Sequence, residues 1–177
     1  MKRHRILILV YLILLLILAV FIYGFAGKLK KQKETKNKIK SLPHFSFNTL
    51  NGKVFSSEEI GAGPLVIMFF HPECEHCQYE ISELIKLRPL IQEYDFLLIS
   101  NADKKSVQKF IDDYSINDLS RLKVLIDEEY RFGEFFGTNT VPSTFIYGRN
   151  LKLRKSYKGE VMPEAILKFL TNADKSE

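Results

Sequence analysis

The 177-residue chain is long enough for one folded domain with additional sequence, and its charge is divided unevenly along its length. The first 40 residues hold ten Lys and Arg and one acidic residue, whereas the remaining 137 hold sixteen basic and twenty acidic residues. The net charge of +5 therefore arises from the N-terminal segment. The rest of the chain lacks the basic surface of a nucleic-acid-binding protein, so we expect no nucleic-acid partner.

The N-terminal segment contains an uncharged, largely apolar run at residues 6–26, which as a helix matches a hydrocarbon core of roughly 30 Å. We predict a basic cytoplasmic tail at 1–5, a transmembrane anchor at 6–26, a Lys-rich linker at 27–40 and a folded domain at 41–177. A cleavable signal peptide is the alternative, because residues 24–26 (Gly-Phe-Ala) offer a small-x-small cleavage site. Apolar regions of signal peptides usually have about 7–15 residues, which favours the uncleaved anchor.

Charge alone does not settle which side of the membrane holds the domain. Seven lysines lie between Lys28 and Lys40, and they outnumber the basic residues before the apolar run. The positive-inside rule applied strictly would leave the domain in the cytoplasm. A single N-terminal anchor with a short basic tail also commonly inserts with its domain outside.

From residue 41 onward, apolar periodicity and turn signals predict alternating strands and helices. The first predicted element is a hairpin in which Phe45, Phe47, Val54 and Phe55 flank a two-residue turn at Asn51-Gly52. It is followed by a buried strand at 65–70, a helix after Cys74 that Pro89 kinks or ends, a strand at 96–100 and a helix at 104–114 with Asp103 as its N-cap. The remaining elements are a strand at 124–126, a helix at 130–136 closed by Gly137, strands at 143–147 and 151–157, and a helix from Pro163 to about Leu170. This order predicts an α/β domain.

The chain has two cysteines, Cys74 and Cys77, which lie three positions apart where a predicted buried strand leads into a helix. A disulfide between them would close too short a loop to restrict the unfolded chain much, so a chemical role is favoured. A helix N-terminus presents free N–H groups and the positive end of its dipole, which stabilise a thiolate. Cys74 is therefore the predicted nucleophile, and Cys77, one turn later, is placed to resolve a mixed disulfide.

The two intervening residues, Glu75 and His76, are predicted to tune the redox potential of this pair. A protonated His76 would stabilise the Cys74 thiolate and make the disulfide more oxidising. Glu75 carries the opposing charge and offsets part of that effect. The resulting potential stays open across the range for such motifs, about −270 to −120 mV.

Residues 69–77 (Phe-Phe-His-Pro-Glu-Cys-Glu-His-Cys), followed later by residues 141–145 (Val-Pro-Ser-Thr-Phe), resemble the thioredoxin superfamily. The chain is most similar to membrane-anchored, extracytoplasmic thiol–disulfide oxidoreductases of the TlpA/ResA type, with redoxin or AhpC/TSA-like domains. The resemblance covers roughly residues 41–172. It implies a thioredoxin-like fold, with a central mixed sheet flanked by helices and an N-terminal β-hairpin addition, behind one transmembrane helix.

The same resemblance implies a localisation, partners and further site residues. The domain would lie outside the cytoplasm and exchange disulfides with cysteine-containing protein substrates and a redox partner protein, with no metal or cofactor. Pro142 would follow a cis peptide bond and face the cysteines, so that Val141 and Pro142 offer an edge for an extended substrate segment. Glu80 would be a partly buried acid that raises the thiol pKa and assists proton transfer, although a solvated glutamate on the helix face is the alternative.

Two departures from the family pattern bear on partner specificity and potential. Glu73 stands where a tryptophan usually precedes the first cysteine, and the middle dipeptide is Glu-His rather than Gly-Pro or Glu-Pro. A peroxidase function is not expected, because a peroxiredoxin needs a Pro-x-x-x-Thr/Ser-x-x-Cys loop. Pro72 lies only two residues before Cys74, and the required hydroxyl residue is missing.

Two alternatives belong to other functional classes. A thioredoxin-fold copper or zinc carrier could use His71, Cys74 and Cys77, because all three are ligands of borderline or soft metals. A helix-opening Cys-x-x-Cys does not easily direct His76 to the same ion, and the chain has no later histidine. The remaining alternative is a binding module in which the cysteines are incidental.

Overall fold

A computed structural model describes residues 2–173, with the side chains of residues 2–10, 12, 26, 28–32 and 172–173 left out. The chain divides into two units between residues 37 and 38. The predicted tail at 1–5 and the start of the predicted anchor thus lie outside the described side chains. Among the residues that are described, no helix is long and apolar enough to cross a membrane.

The helix α1 (Lys2–Lys38), apart from its last residue, makes up the first unit, and it continues through most of the predicted linker at 27–40. The second unit begins three residues before the predicted domain start at residue 41, and Ile39 is already buried in its core. Its elements are β1 (Ser46–Thr49), β2 (Val54–Ser56), β3 (Leu65–Phe70), α2 (Glu75–Lys86), α3 (Arg88–Ile91), β4 (Asp95–Ser100), α4 (Lys104–Asp113), β5 (Leu122–Ile126), α5 (Phe132–Phe136), β6 (Ser143–Tyr147), β7 (Leu153–Lys158) and α6 (Pro163–Ala173).

The strands form one mixed sheet in the order β2-β1-β5-β4-β3-β6-β7. β3, β4 and β5 run parallel to one another, and β6 pairs antiparallel with β3. The hairpin β1–β2 extends the sheet by pairing antiparallel with β5. The predicted thioredoxin-like α/β arrangement with an added N-terminal hairpin is confirmed, and β3 occupies an inner position whose carboxyl end leads to the two cysteines.

Two local predictions were wrong in detail. The hairpin turn has three residues rather than two, because Thr49 N donates to Lys53 O at 2.8 Å and Gly52, with φ +79°, takes the left-handed position. The helix predicted from Tyr130 begins at Phe132 instead. The buried Asp127 carboxylate accepts from the N–H groups of Arg131 and Phe132, each at 2.8 Å, which fixes this later start.

Two apolar clusters cover the two faces of the sheet. We call the first the helix-side cluster, because it joins alternate residues of β3 and β4 to α2, α4 and α6, and its members include Val66, Met68, Phe70, Leu98, Ile81, Leu84, Val107, Ile111, Ile166 and Leu170. We call the second the aromatic cluster, which joins the opposite face of the sheet to α5 and the hairpin through Phe45, Phe47, Phe69, Phe132, Phe136 and Phe145. Successive side chains of β3 and β6 point to opposite faces of the sheet, so neighbouring residues of one strand belong to different clusters.

Candidate active site

Cys74 occupies the junction between a central strand and a helix. β3 ends at Phe70, α2 begins at Glu75, and Cys74 is the N-cap residue in extended conformation. Its Sγ accepts a hydrogen bond from the backbone N–H of Cys77 at 3.3 Å, and its own N–H donates to His71 O at 3.0 Å. The sulfur of this half-buried residue therefore lies at the positive end of the α2 dipole, as favours a reactive thiolate.

Cys77 lies one turn further along α2 in a different environment. Its side chain is only 1% exposed and packs in the helix-side cluster. Burial raises the pKa of the Cys77 thiol above its ordinary value, and the neighbouring Cys74 and Glu80 raise it further. The two cysteines are both thiols in this structure, one partly accessible and the other enclosed.

Glu80 is buried, at 1% exposure, on the same face of α2 as Cys77. Thr144 Oγ1 donates to its Oε1 at 2.9 Å, and the Val161 N–H donates to its Oε2 at 3.3 Å. Burial raises the pKa of Glu80 to about 7, outweighing the two hydrogen bonds, which lower it, while the charge of Glu160 raises it further. Of the two environments considered from sequence, the structure shows the buried one rather than the solvated one.

The peptide bond between Val141 and Pro142 is cis, as predicted. Pro142 is buried and Val141 is half-buried at the start of β6. Pro142 O accepts from the Gly159 N–H at 2.8 Å, and Thr144, two residues along, reaches Glu80. The cis proline thus immediately precedes the strand that contacts the buried acid, while substrate binding by Val141 and Pro142 stays a prediction.

The dipeptide between the cysteines is exposed to solvent at both positions. His76 Nδ1 lies 2.7 Å from Oε2 of Glu160, which follows β7. Potential tuning by Glu75 and His76 also stays a prediction. This contact places a carboxylate from a residue 84 positions away in sequence beside the dipeptide.

Sequence reasoning missed three participants in this site, namely Thr144, Glu160 and Val161. Thr144 lies in the segment that carried the family resemblance, but its role as a donor to Glu80 was not predicted. Glu160 and Val161 lie in a loop between β7 and α6 without a local motif. Val161 contributes a backbone N–H, which no side-chain pattern indicates.

The side chains named in the metal-carrier alternative have other contacts in the structure. Within the part of the chain that the structure describes, no three His, Cys, Asp or Glu side chains are grouped to hold a metal ion. His71 Nδ1 instead accepts from the Glu73 N–H at 3.3 Å, and His76 is paired with Glu160. The arrangement of the two thiols fits exchange chemistry.

A family model described as the AhpC/TSA family matches residues 39–156, which is well over half of the chain and includes both cysteines and Pro142. The chain belongs to the AhpC/TSA family. Among curated relatives, this AhpC/TSA protein is 24% identical to the thiol–disulfide oxidoreductase ResA of Bacillus cereus over 174 residues, covering 96% of this chain and 97% of ResA. The chain is thus a thioredoxin-superfamily oxidoreductase of the ResA/TlpA-like kind.

Solved structures agree with the fold of this AhpC/TSA protein. A secreted Mycobacterium tuberculosis disulfide oxidoreductase homologous to Escherichia coli DsbE is similar with a TM-score of 0.64 and 18% identity, covering 77% of this chain and 98% of that chain. StoA from Bacillus subtilis is similar with a TM-score of 0.56 and 15% identity, covering 73% of this chain and 98% of that chain. At these identities the likeness shows a common thioredoxin-like fold.

Proposed function

We propose that this oxidoreductase exchanges disulfides with cysteine-containing protein substrates through Cys74-Glu75-His76-Cys77, and that α1 tethers it to a membrane. The observation that carries the proposal is the asymmetry of the two thiols. Cys74 is partly accessible at a helix N-terminus, whereas Cys77 is enclosed beside a buried carboxyl group. This is the arrangement that a nucleophile and a resolving thiol require.

In the reducing direction, the Cys74 thiolate attacks one sulfur of a substrate disulfide. A mixed disulfide forms and the other substrate sulfur leaves as a thiolate that takes up a proton. Cys77 then loses its proton and attacks the Cys74 sulfur, which releases the second substrate thiolate. The substrate has gained two electrons and two protons, and Cys74 and Cys77 are left as a disulfide. The oxidising direction runs through the same steps in reverse.

Glu80 is proposed to accept the proton of Cys77 in the resolving step. The burial that raises the pKa of the Cys77 thiol makes its deprotonation the difficult part of the cycle. A carboxyl group with a pKa of about 7 is divided between its two protonation states at neutral pH, so it is suited to both accept and return a proton. Thr144 and Val161 hold the carboxyl group in place for this transfer.

Trapping of the mixed disulfide tests this assignment. Cys77→Ser should accumulate a covalent adduct with a substrate disulfide, because the Cys74 thiolate attacks but no resolving thiol follows. Cys74→Ser is the matched control and should form no adduct, since the remaining thiol is enclosed. The measurement is non-reducing electrophoresis of each reduced variant after mixing with a peptide disulfide. Equal adducts in both variants, or an adduct on Cys74→Ser alone, would reject the assignment of roles.

The membrane tether is supported by the sequence and by the side chains of α1. The uncharged run at 6–26 lies within one continuous helix, Lys2–Lys38. Its described large apolar side chains are strongly exposed, as a lipid-facing helix requires, and they include Ile13, Leu16, Val20, Phe21 and Phe25. We propose that the catalytic domain lies on the extracytoplasmic side, in keeping with the resemblance to extracytoplasmic oxidoreductases.

Fractionation and labelling of the full chain test the tether and its orientation. The full chain should stay in the membrane fraction after alkaline carbonate extraction, and a Leu14→Lys/Leu18→Lys variant should be released. In intact cells, a membrane-impermeant maleimide should label Cys74. Extraction of the full chain by carbonate would reject the tether, and labelling only after lysis would reject the extracytoplasmic side.

A further inference from the structure

One short segment joins three parts of the active site through consecutive residues. The Gly159 N–H donates to Pro142 O at 2.8 Å, and the Glu160 Oε2 lies 2.7 Å from His76 Nδ1. The next residue, Val161, donates its N–H to Glu80 Oε2 at 3.3 Å. We call residues 159–161 the bridging segment. It connects the cis proline, the dipeptide between the cysteines and the buried acid.

The ion pair at the centre of the bridging segment is exposed on one side and half-buried on the other. The side chain of His76 is 74% exposed and that of Glu160 is 32% exposed. Ion pairs this accessible contribute little to folding stability. Glu160 nevertheless acts on the interior, because its charge is among the causes that raise the pKa of Glu80. Its removal should therefore alter the chemistry of the site more than the stability of the fold.

We propose that Glu160 is a positioning residue for thiol exchange, held against the first turn of α2 by His76 so that the bridging segment keeps its hydrogen bonds to Glu80 and Pro142. This inference rests on the proposed function. Glu160 acts on Glu80 in two ways of opposite sign. Its negative charge disfavours the Glu80 carboxylate, whereas the Val161 N–H that it keeps in place favours that carboxylate.

Several titratable groups face Glu80 and must be considered together. Cys77 shares its helix and interacts with it electrostatically, and Cys74 is the neighbour of Cys77. Glu160 reaches it from the bridging segment. Tyr157 on β7 lies opposite Thr144, which donates to Glu80. The test therefore changes Glu160 alone and follows the Glu80 carboxyl group directly.

Two substitutions separate the charge of Glu160 from its positioning role. Glu160→Gln removes the charge and keeps an amide that can still hydrogen-bond to His76, so the pKa of Glu80 should fall. The expected shift is about 0.2–0.7 pH unit, the size that an exposed charge typically produces. Glu160→Ala also releases the bridging segment, so Glu80 loses part of its bond from Val161. Its pKa in Glu160→Ala should therefore lie above that in Glu160→Gln.

The experiment is an NMR titration of the Glu80 carboxyl carbon in the reduced protein, together with the pH dependence of its oxidation rate by a small disulfide. Glu164→Gln and Glu164→Ala are matched controls, because Glu164 is an exposed glutamate four residues further on. Both controls should titrate like the unchanged protein. Glu160→Gln should move both the NMR titration and the inflection of the rate to lower pH, with a thermal midpoint close to the original.

The inference is overturned if Glu160→Gln titrates like Glu164→Gln, or if the Gln and Ala variants at position 160 coincide. Faster hydrogen exchange of the Val161 amide in Glu160→Ala than in Glu160→Gln is expected, and equal exchange would also count against positioning. The NMR titration needs no turnover. Failure of Cys77→Ser to trap a substrate would therefore reject the proposed function without changing these shifts, whereas successful trapping with coincident titrations rejects only the role of Glu160.

Discussion

The two faces of the sheet are covered by apolar clusters of different composition. The aromatic cluster consists largely of phenylalanines in ring-to-ring contact, with Phe132 stacked on Phe69 at 4.1 Å between ring centroids and on Phe136 at 4.4 Å. The helix-side cluster is mostly aliphatic, and two ionisable groups, Cys77 and Glu80, are buried on that side of the sheet. The aromatic cluster therefore contributes apolar burial alone, whereas burying ionisable groups on the helix side costs part of the folding free energy gained there.

This contrast explains why the buried acid is tolerated. A buried carboxyl group destabilises a fold unless it is hydrogen-bonded or protonated. Both oxygens of Glu80 have partners, from Thr144 and Val161, and its raised pKa leaves it partly protonated at neutral pH. The aromatic cluster on the opposite face supplies apolar burial without such a cost. Substitutions on the two faces should therefore have effects of different kinds.

Phe132→Ala on the aromatic face should produce the largest loss of stability. Phe132 is fully buried and is in ring contact with four other phenylalanines, namely Phe47, Phe69, Phe136 and Phe145. We expect its truncation to lower the free energy of unfolding by about 3–5 kcal/mol, because it removes apolar contacts and leaves a cavity. Urea denaturation of the reduced protein measures this loss.

The matched control for that prediction is Phe132→Leu, which keeps most of the apolar volume and should cost less. The midpoint potential of the cysteine pair should be the same in Phe132→Leu and in the unchanged protein, since the ring lies on the face opposite Glu80. A shift in potential as large as that of an active-site variant would contradict the division between the two faces.

Glu80→Gln on the helix side should change how stability depends on pH. Burial raises the pKa of Glu80 from 4.5 to about 7, so the folded state holds a proton that the unfolded state has lost over this interval. The unchanged protein should therefore lose about 3 kcal/mol of stability as the pH rises from about 4.5 to about 7. Gln does not titrate, so this part of the slope should be absent from the variant.

The same variant should slow the resolving step about a hundredfold, the lower end of the usual contribution of a general acid–base group. Chemical denaturation from pH 4 to 8 measures the stability, and stopped-flow oxidation measures the step. If the free energy of unfolding depends on pH in the same way in Glu80→Gln and in the unchanged protein over this range, Glu80 is not a buried group that stays partly protonated near neutral pH.

Thr144→Val should give the smallest of the three effects, confined to the helix side. The substitution preserves the shape of the side chain but removes the hydroxyl that donates to Glu80 Oε1. Because that hydrogen bond favours the carboxylate, its loss should raise the pKa of Glu80 by about 1–2 units. Ser143→Ala is the control, since its hydroxyl donates to Thr140 O instead, and it should leave the inflection of the rate profile in place.

The features predicted well from sequence are those with local signals. The apolar run at 65–70 predicted the central strand, and the N-cap at Asp103 is present with its carboxylate accepting from Ser106 N–H at 3.0 Å. Each of these two depends on a few neighbouring residues. The cis bond at Pro142 was implied by the family resemblance rather than by a local signal. Cys77 and Glu80 could also be placed on one helix face, because residues three apart lie together on a helix.

The parts that were not predicted depend on contacts between distant segments. The pairing of His76 with Glu160 joins residues 84 positions apart, and the bond from Val161 to Glu80 joins residues 81 apart. Neither has a sequence pattern, because the topology alone brings β7 and its following loop beside α2. The start of α5 was misplaced for a related reason, since Asp127 competes with local propensity by accepting from two later N–H groups.

The outer strands of the sheet bear on whether one copy of the domain can add to another. An outer strand offers unpaired backbone groups on which another chain can build. On one side the hairpin pairs with β5, and the new outermost strand, β2, is only three residues long. On the other side, β7 carries exposed Arg154, Lys155 and Lys158, whose like charges repel a second copy. Both edges of the sheet are therefore poor templates for aggregation.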